Sequence, residues 1–126
     1  MCTPAEIYRE RLLDHNENPR NAGRLPDPDR SLEEENPNCG DTLRFDIALT
    51  DDGDSIDDIR FESDSCAITR ASASMLTEEL QGEPVQRAFE IDREEMIEDI
   101  LQVEISPMRR RCALFPRQVA QRALEE

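Results

Sequence analysis

Apolar residues follow two rhythms along this chain, a period of two in the middle and helical spacing on either side. From Thr42 the alternation is strict: Leu43, Phe45, Ile47 and Leu49 share one face, and Arg44, Asp46 and Ala48 the other, as in a strand with one buried side. The run Asp51-Asp52-Gly53-Asp54 supplies a turn with a glycine available for positive φ. Ile59 and Phe61, with Ile56 near the start, carry the alternation through a second strand, and the pair predicts an antiparallel hairpin. The segment 31–36 (SLEEEN) fits a polar edge strand.

Helical spacing brackets this hairpin. Residues 4–14 place Ile7, Tyr8, Arg11 and Leu12 on adjoining faces of a short helix, with Pro4 suited to its first turn. That helix must stop before Asn18-Pro19, because a residue preceding proline avoids the helical region. Residues 16–30, rich in Asn, Pro, Asp and Gly, read as a loop. From Cys66 onward Ile68, Ala71, Met75, Leu76 and Leu80 trace one stripe, which Gly82 and Pro84 end. Ser72 and Ala73 are small and leave room for a close neighbour. Two shorter helices are expected around 84–90 and 92–101, then a last one, opened by Cys112, that carries Val119, Ala120, Ala123 and Leu124. Residues 1–126 fit a single domain.

Composition narrows the partners. Only 37% of the chain is apolar and 36% is charged, so its core is small for its length. Thirty acidic residues face fifteen arginines and no lysine, a formal charge of −15. Such a surface repels nucleic-acid phosphates and anionic membranes, so neither is an expected partner. Screening by concentrated salt relieves the self-repulsion, and the lysine-free acidic composition suggests a salt-loving source. No stretch approaches the ~20 apolar residues of a membrane span, and MCTPAEIYRERLL lacks the basic start and apolar run of a signal peptide. A cytoplasmic location is the natural expectation. In a reducing compartment four cysteines do not argue for disulfides, and their spacing is too wide for the paired C-x-x-C of a zinc finger.

Three of those cysteines lie where an element should begin or end: Cys39 in NPNCGD, Cys66 in SDSCAIT and Cys112 in RRRCALFP. Asp41 stands two residues from Cys39, across Gly40, whose freedom lets both side chains turn to one ion. Element ends can converge at one edge of a small fold, and three thiolates with one carboxylate make a four-ligand site for a zinc-like ion. A helix start offers Cys66 free amides and the positive end of a dipole; Arg109, Arg110 and Arg111 set positive charge beside Cys112. Taken singly, each residue has a plainer reading: a small core thiol, a turn carboxylate, arginines that offset acidic repulsion. Their combination reverses that order. His15, at the end of the first helix, reads as a packing or hydrogen-bonding residue, and Cys2 as an incidental surface thiol.

At these residues the chain resembles the IscU/SufU family of iron–sulfur cluster assembly proteins. The resemblance runs through IYRERLLDHNENPRNAG, NPNCGD, FESDSCAITRASASMLTEEL and PMRRRCALFPRQVAQRAL, in that order. It implies an α+β fold, a small antiparallel sheet of about three strands with helices packed on one side. It also implies a metal and sulfur site at Cys39, Asp41, Cys66 and Cys112. IscU-type scaffolds carry His before the last cysteine and a Leu-Pro-Pro-Val-Lys stretch read by a chaperone; here Arg111 and ISPMRRR stand instead. Arg109, three residues before Cys112, is similar to the SufU type, in which zinc is held by Cys, Asp, Cys and Cys. The implied activity is that of a zinc-dependent sulfur carrier. It accepts persulfide sulfur from a cysteine desulfurase and relays it to a cluster-building complex or to apoproteins. Cys39 or Cys112 would be the acceptor, Cys39 favoured, and Arg109 would hold the persulfide or a partner carboxylate. The alternative is a scaffold on which a transient [2Fe–2S] cluster is built on the same residues. SufU proteins usually have a longer insertion between the second and third site cysteines; only residues 67–111 intervene here.

Overall fold

The computed structural model describes residues 4–36, 40–101 and 107–125, with backbone alone at 4–9, 99 and 107–109. Eight elements follow in order: α1 (Pro4–Glu17), β1 (Arg30–Glu35), β2 (Thr42–Leu49), β3 (Ile56–Asp64), α2 (Ala67–Leu80), α3 (Val85–Glu90), a π-helical segment (Glu95–Leu101) and α4 (Pro107–Leu124). The three strands form one antiparallel sheet in the order β1-β2-β3, and the helices cover the face that the alternation marks as apolar. The α+β architecture expected from the sequence is the one observed.

The hairpin keeps the predicted register, with Phe45 opposite Phe61 and Ile47 opposite Ile59. Leu43, Phe45, Ile47, Ile56 and Ile59 are wholly buried and form the sheet side of the core. A bulge between Ala48 and Leu49 lets the strands turn into the Asp51–Asp54 tip. The opposite face has its own closure. Asp46 is only 1% exposed; it accepts hydrogen bonds from Ser31 Oγ at 2.8 Å, Arg44 Nε at 2.9 Å and the Leu25 amide at 3.2 Å. The 18–29 loop is laced to the sheet as well: the Phe61 amide donates to Asn21 O and the Gly23 amide to Phe61 O.

Helix α2 is the central post. Every residue from Ala71 to Thr77 is buried, far more than the single stripe its apolar residues suggest, because α1, α4, β3 and the π-helical segment all pack on it. The Ala71-Ser72-Ala73-Ser74 run permits this: small side chains let neighbours approach, and each hydroxyl is satisfied. Ser72 Oγ donates to Ala113 O of α4 at 2.6 Å, and Ser74 Oγ accepts the Arg20 amide at 2.8 Å. At the segment 95–101, Met96, Ile97, Ile100 and Leu101 turn inward, and the wider i→i+5 winding keeps all four on one face.

Three expectations need correction. Helix α1 runs to Glu17 and β1 starts at Arg30, so the loop is shorter than 16–30; the Asn18 amide closes the last helical turn on Asp14 O. The helix expected over 92–101 is π-helical from Glu95, with the Asp92 carboxylate accepting from the Glu95 amide. Cys112 does not open the last helix. Helix α4 begins at Pro107, a residue suited to a first turn, and Cys112 lies inside it.

Candidate metal centre

Three segments deliver the candidate ligands among the described residues. Asp41 ends the connection from β1 to β2, where the Asn36 amide donates to Asp41 O and the Gly40 amide to Asn36 O. Gly40 sits at φ +73°, a conformation that a side chain would strain, which lets the chain reverse there. Cys66 is the residue that caps the start of α2, in extended conformation and with no side-chain capping bond. The first turn of α2 holds no acidic residue. Cys112 comes from α4, which packs alongside α2.

The ligand atoms of Asp41, Cys66 and Cys112 all lie within 4.8 Å of one another. A tetrahedral zinc ion with ordinary Zn–S and Zn–O distances sets its donors ~3.5–3.8 Å apart, so a small inward movement suffices. Two soft thiolates and a carboxylate are a donor set that zinc accepts, and the residues present fit it. Asp41 is 8% exposed, Cys66 is exposed and Cys112 half-buried; the centre is thus held at the surface, with one carboxylate tucked beneath it. Cys39 and Cys2 lie outside the described residues. Arg109 is placed on α4 three residues before Cys112, but its side chain too is outside them.

Thr69 was not singled out by sequence reasoning, and the structure puts it under the centre. Wholly buried, its hydroxyl lies 3.1 Å from Asp41 Oδ2, 3.3 Å from the Cys112 carbonyl and 3.5 Å from Cys66 Sγ. One side chain therefore touches all three candidate ligand residues. The signal was available: Thr69 follows Cys66 by three positions, the spacing that puts two residues on one helical face. Pro116 is the second missed residue. Standing four residues after Cys112 inside α4, it has no N–H to return to the Cys112 carbonyl. That carbonyl is left to Thr69, and the next one, of Ala113, is met by Ser72. A proline and two hydroxyls thus fix the register of α4 on α2, and with it the position of Cys112.

His15 behaves as its sequence position suggests. It is 3% exposed, and its Nδ1 lies 2.7 Å from Ser74 Oγ and its Nε2 3.1 Å from Glu78 Oε1. Burial, with the nearby Arg20 charge, pushes its pKa below the ordinary histidine value. The neutral ring belongs to the α1–α2 contact, away from the thiols.

A family model described as the NifU-like N-terminal domain matches residues 7–126. Relatives include the iron–sulfur cluster assembly scaffold protein IscU of Aquifex aeolicus, 39% identical over 93 residues, 74% of this chain and 59% of that protein. The zinc-dependent sulfurtransferase SufU of Bacillus subtilis is 39% identical over 87 residues, 69% of this chain and 57% of that one. The matches thus span less than two thirds of either relative's length. The scaffold protein IscU of Escherichia coli K12 is 30% identical over 122 residues, 94% of this chain and 92% of its own. Among solved structures, a protein from Fervidobacterium islandicum AW-1, provisionally assigned as an iron–sulfur cluster assembly scaffold for the SUF system, superimposes with a TM-score of 0.81 at 28% identity, over 94% of this chain and 97% of that one. The N-terminal part of a NifU-like protein from Brucella abortus shares the fold with a TM-score of 0.75 at 18% identity, over 94% of this chain and 92% of that one.

Proposed function

The chain belongs to the NifU-like N-terminal domain family, and on that premise we propose that it serves iron–sulfur cluster assembly as a zinc-dependent sulfur carrier. The observation that carries the proposal is the convergence of Asp41, Cys66 and Cys112 within 4.8 Å. Cys39, two residues before Asp41 in the chain, is the proposed fourth ligand. When bound, zinc would hold the thiols as thiolates and protect them from oxidation.

Sulfur transfer needs one of these thiolates as nucleophile. It attacks the terminal sulfur of a cysteine desulfurase persulfide, a new S–S bond forms on the carrier, and the donor cysteine leaves as thiolate, so no external oxidant or reductant is consumed. Cys39 and Cys112 are the proposed acceptors, with Cys39 favoured. Cys66, the more exposed of the two described site thiols, must be compared with them. Arg109 is proposed to meet the anionic persulfide or a partner carboxylate. The acidic chain, rich in arginine and without lysine, suits a cytoplasm of high salt. In the described residues no helix is long and apolar enough to cross a membrane.

A second reading has its own support. The IscU of Escherichia coli matches along 92% of its length, whereas the SufU of Bacillus subtilis matches along 57%, and the short 67–111 interval agrees with the former. On that reading the same residues hold a transient [2Fe–2S] cluster for delivery to apoproteins. The two separate in one anaerobic experiment with zinc-loaded protein and a cysteine desulfurase. A several-fold rise in sulfide release that is lost in Cys39→Ser or Cys112→Ser supports the carrier. Unchanged turnover, with a visible-absorbing cluster formed when iron and cysteine are added, sinks it in favour of the scaffold.

A further inference from the structure

An open cleft of about 750 Å³ lies between the end of β1 and the outer side of α4. Its charge is opposite to that of the chain. Arg93, Arg111, Arg117 and Arg122 line it, four of the fifteen arginines, against Glu34 and Glu35. Glu34 is already neutralised, since Arg122 Nη1 donates to both its oxygens at 2.8 and 3.0 Å. Arg117 is held in place by its Nε, which donates to the Ile91 carbonyl at 2.6 Å. Arg93 is exposed and has no ion pair or hydrogen bond among the described residues, although thirty carboxylates are available in this chain. Leu114 and Phe115 give the cleft an apolar floor.

We propose that this cleft is the docking groove for a short acidic segment of a protein partner. The chain's charge argues for a short segment and against a long polyanion. At −15 the molecule repels nucleic acid and anionic lipid beyond the cleft, while the Debye length of ~8 Å at physiological salt lets one local cluster act alone. Planar guanidinium forks pair with carboxylates two bonds at a time. Side-chain stems of the segment would rest on Leu114 and Phe115, and a cleft of this size takes several side chains. Its position gives the docking a purpose. Asn36 and Arg111 line it; the Asn36 amide bonds to Asp41 O, and Arg111 precedes Cys112. A partner held there lies beside the metal centre. The groove is independent of whether that centre carries sulfur or a cluster.

The test uses the full chain in physiological salt and a fluorescent peptide of alternating Asp and Leu, followed by anisotropy. Binding is expected, weakened at least about tenfold by Arg93→Glu, because a like charge is then set against the ligand. Arg24→Glu, at an exposed arginine paired with Glu62 of β3, should leave it intact, and thermal melting checks that both variants fold. Amide NMR shifts in the wild-type chain should move at Leu114, Phe115 and Gln118. The proposal is overturned by absence of binding, by binding indifferent to Arg93→Glu, or by a basic peptide binding as well. It is overturned too if inorganic phosphate displaces the peptide at equal concentration, which would make the cleft a small-anion site.

Discussion

Two buried polar nodes lie on different sides of α2, and they differ in what their hydroxyls meet. Thr69 and Ser74 stand five residues apart, about 7.5 Å along the axis. At Ser74 the account closes. Its hydroxyl accepts the Arg20 amide at 2.8 Å and donates to His15 Nδ1, and the His15 Nε2–H donates to Glu78. At Thr69 one proton faces Asp41, the Cys112 carbonyl and Cys66 sulfur. A carboxylate oxygen of Asp41 and the sulfurs of Cys66 and Cys112 lie within 4.8 Å of one another beside it. Balanced donors and acceptors make a structural node. A gathering of two thiols and a carboxylate, opened to solvent through Cys66, makes a candidate cation site. The lesson is that a buried hydroxyl on this helix points to function when the groups it touches are metal-ligand types gathered in one place.

Removing a ligand should break this contrast most severely. Asp41→Ala and Cys112→Ser are expected to lower zinc affinity by more than about 100-fold in chelator competition, beyond the range typical of outer-sphere partners. Ser74→Ala should leave that affinity unchanged. Next in size is Thr69→Val, which keeps the shape but removes the proton shared by the ligands. Zinc affinity should fall about 10- to 100-fold, with recovery in Thr69→Ser, read by the same competition and by the cobalt(II) absorption of the substituted protein. If Thr69→Val binds zinc as wild type does, Thr69 is merely filling space.

The Ser74 node should fail in stability alone. Ser74→Ala strands the Arg20 amide and His15 Nδ1 and is expected to cost about 1–3 kcal/mol in urea unfolding. A smaller effect comes from pH. The folded state lowers the His15 pKa below its unfolded value of 6.5, so below that value the unfolded chain binds the extra proton. Stability from this group is complete above pH 6.5 and is lost as pH falls through it. His15→Gln should flatten that part of the wild-type slope as pH falls below 6.5; an identical slope in both proteins would count against a neutral buried ring. Smallest is Glu78→Gln. Its side chain is 46% exposed and the amide still accepts a hydrogen bond, so the urea midpoint at neutral pH should move by less than that of Ser74→Ala.

Much of the architecture was legible from local pattern. The alternation at 42–49 and 56–61 marked the hairpin because side chains in a strand point to opposite faces, and only one face is apolar. The stripe from Ile68 to Leu80 marked α2, and Cys66 was correctly placed at its start. Winding was less legible. The Met96-Ile97 and Ile100-Leu101 spacing serves an α or a π turn alike, and packing chose the latter. The start of α4 was misread because the apolar signal begins late, whereas Pro107 begins the helix.

The sequence by itself determined the elements, the acidic charge and the residue types of the candidate centre, since periodicity and donor chemistry are local properties. Only the tertiary structure decided that Asp41, Cys66 and Cys112 meet, because they come from elements far apart in the chain and their approach depends on how α4 seats on α2. That seating rests on Pro116 releasing the Cys112 carbonyl, on Thr69 donating to it in place of the missing N–H, and on Ser72 donating to the neighbouring Ala113 carbonyl. No single segment encodes that exchange of hydrogen bonds; it exists once two helices have packed.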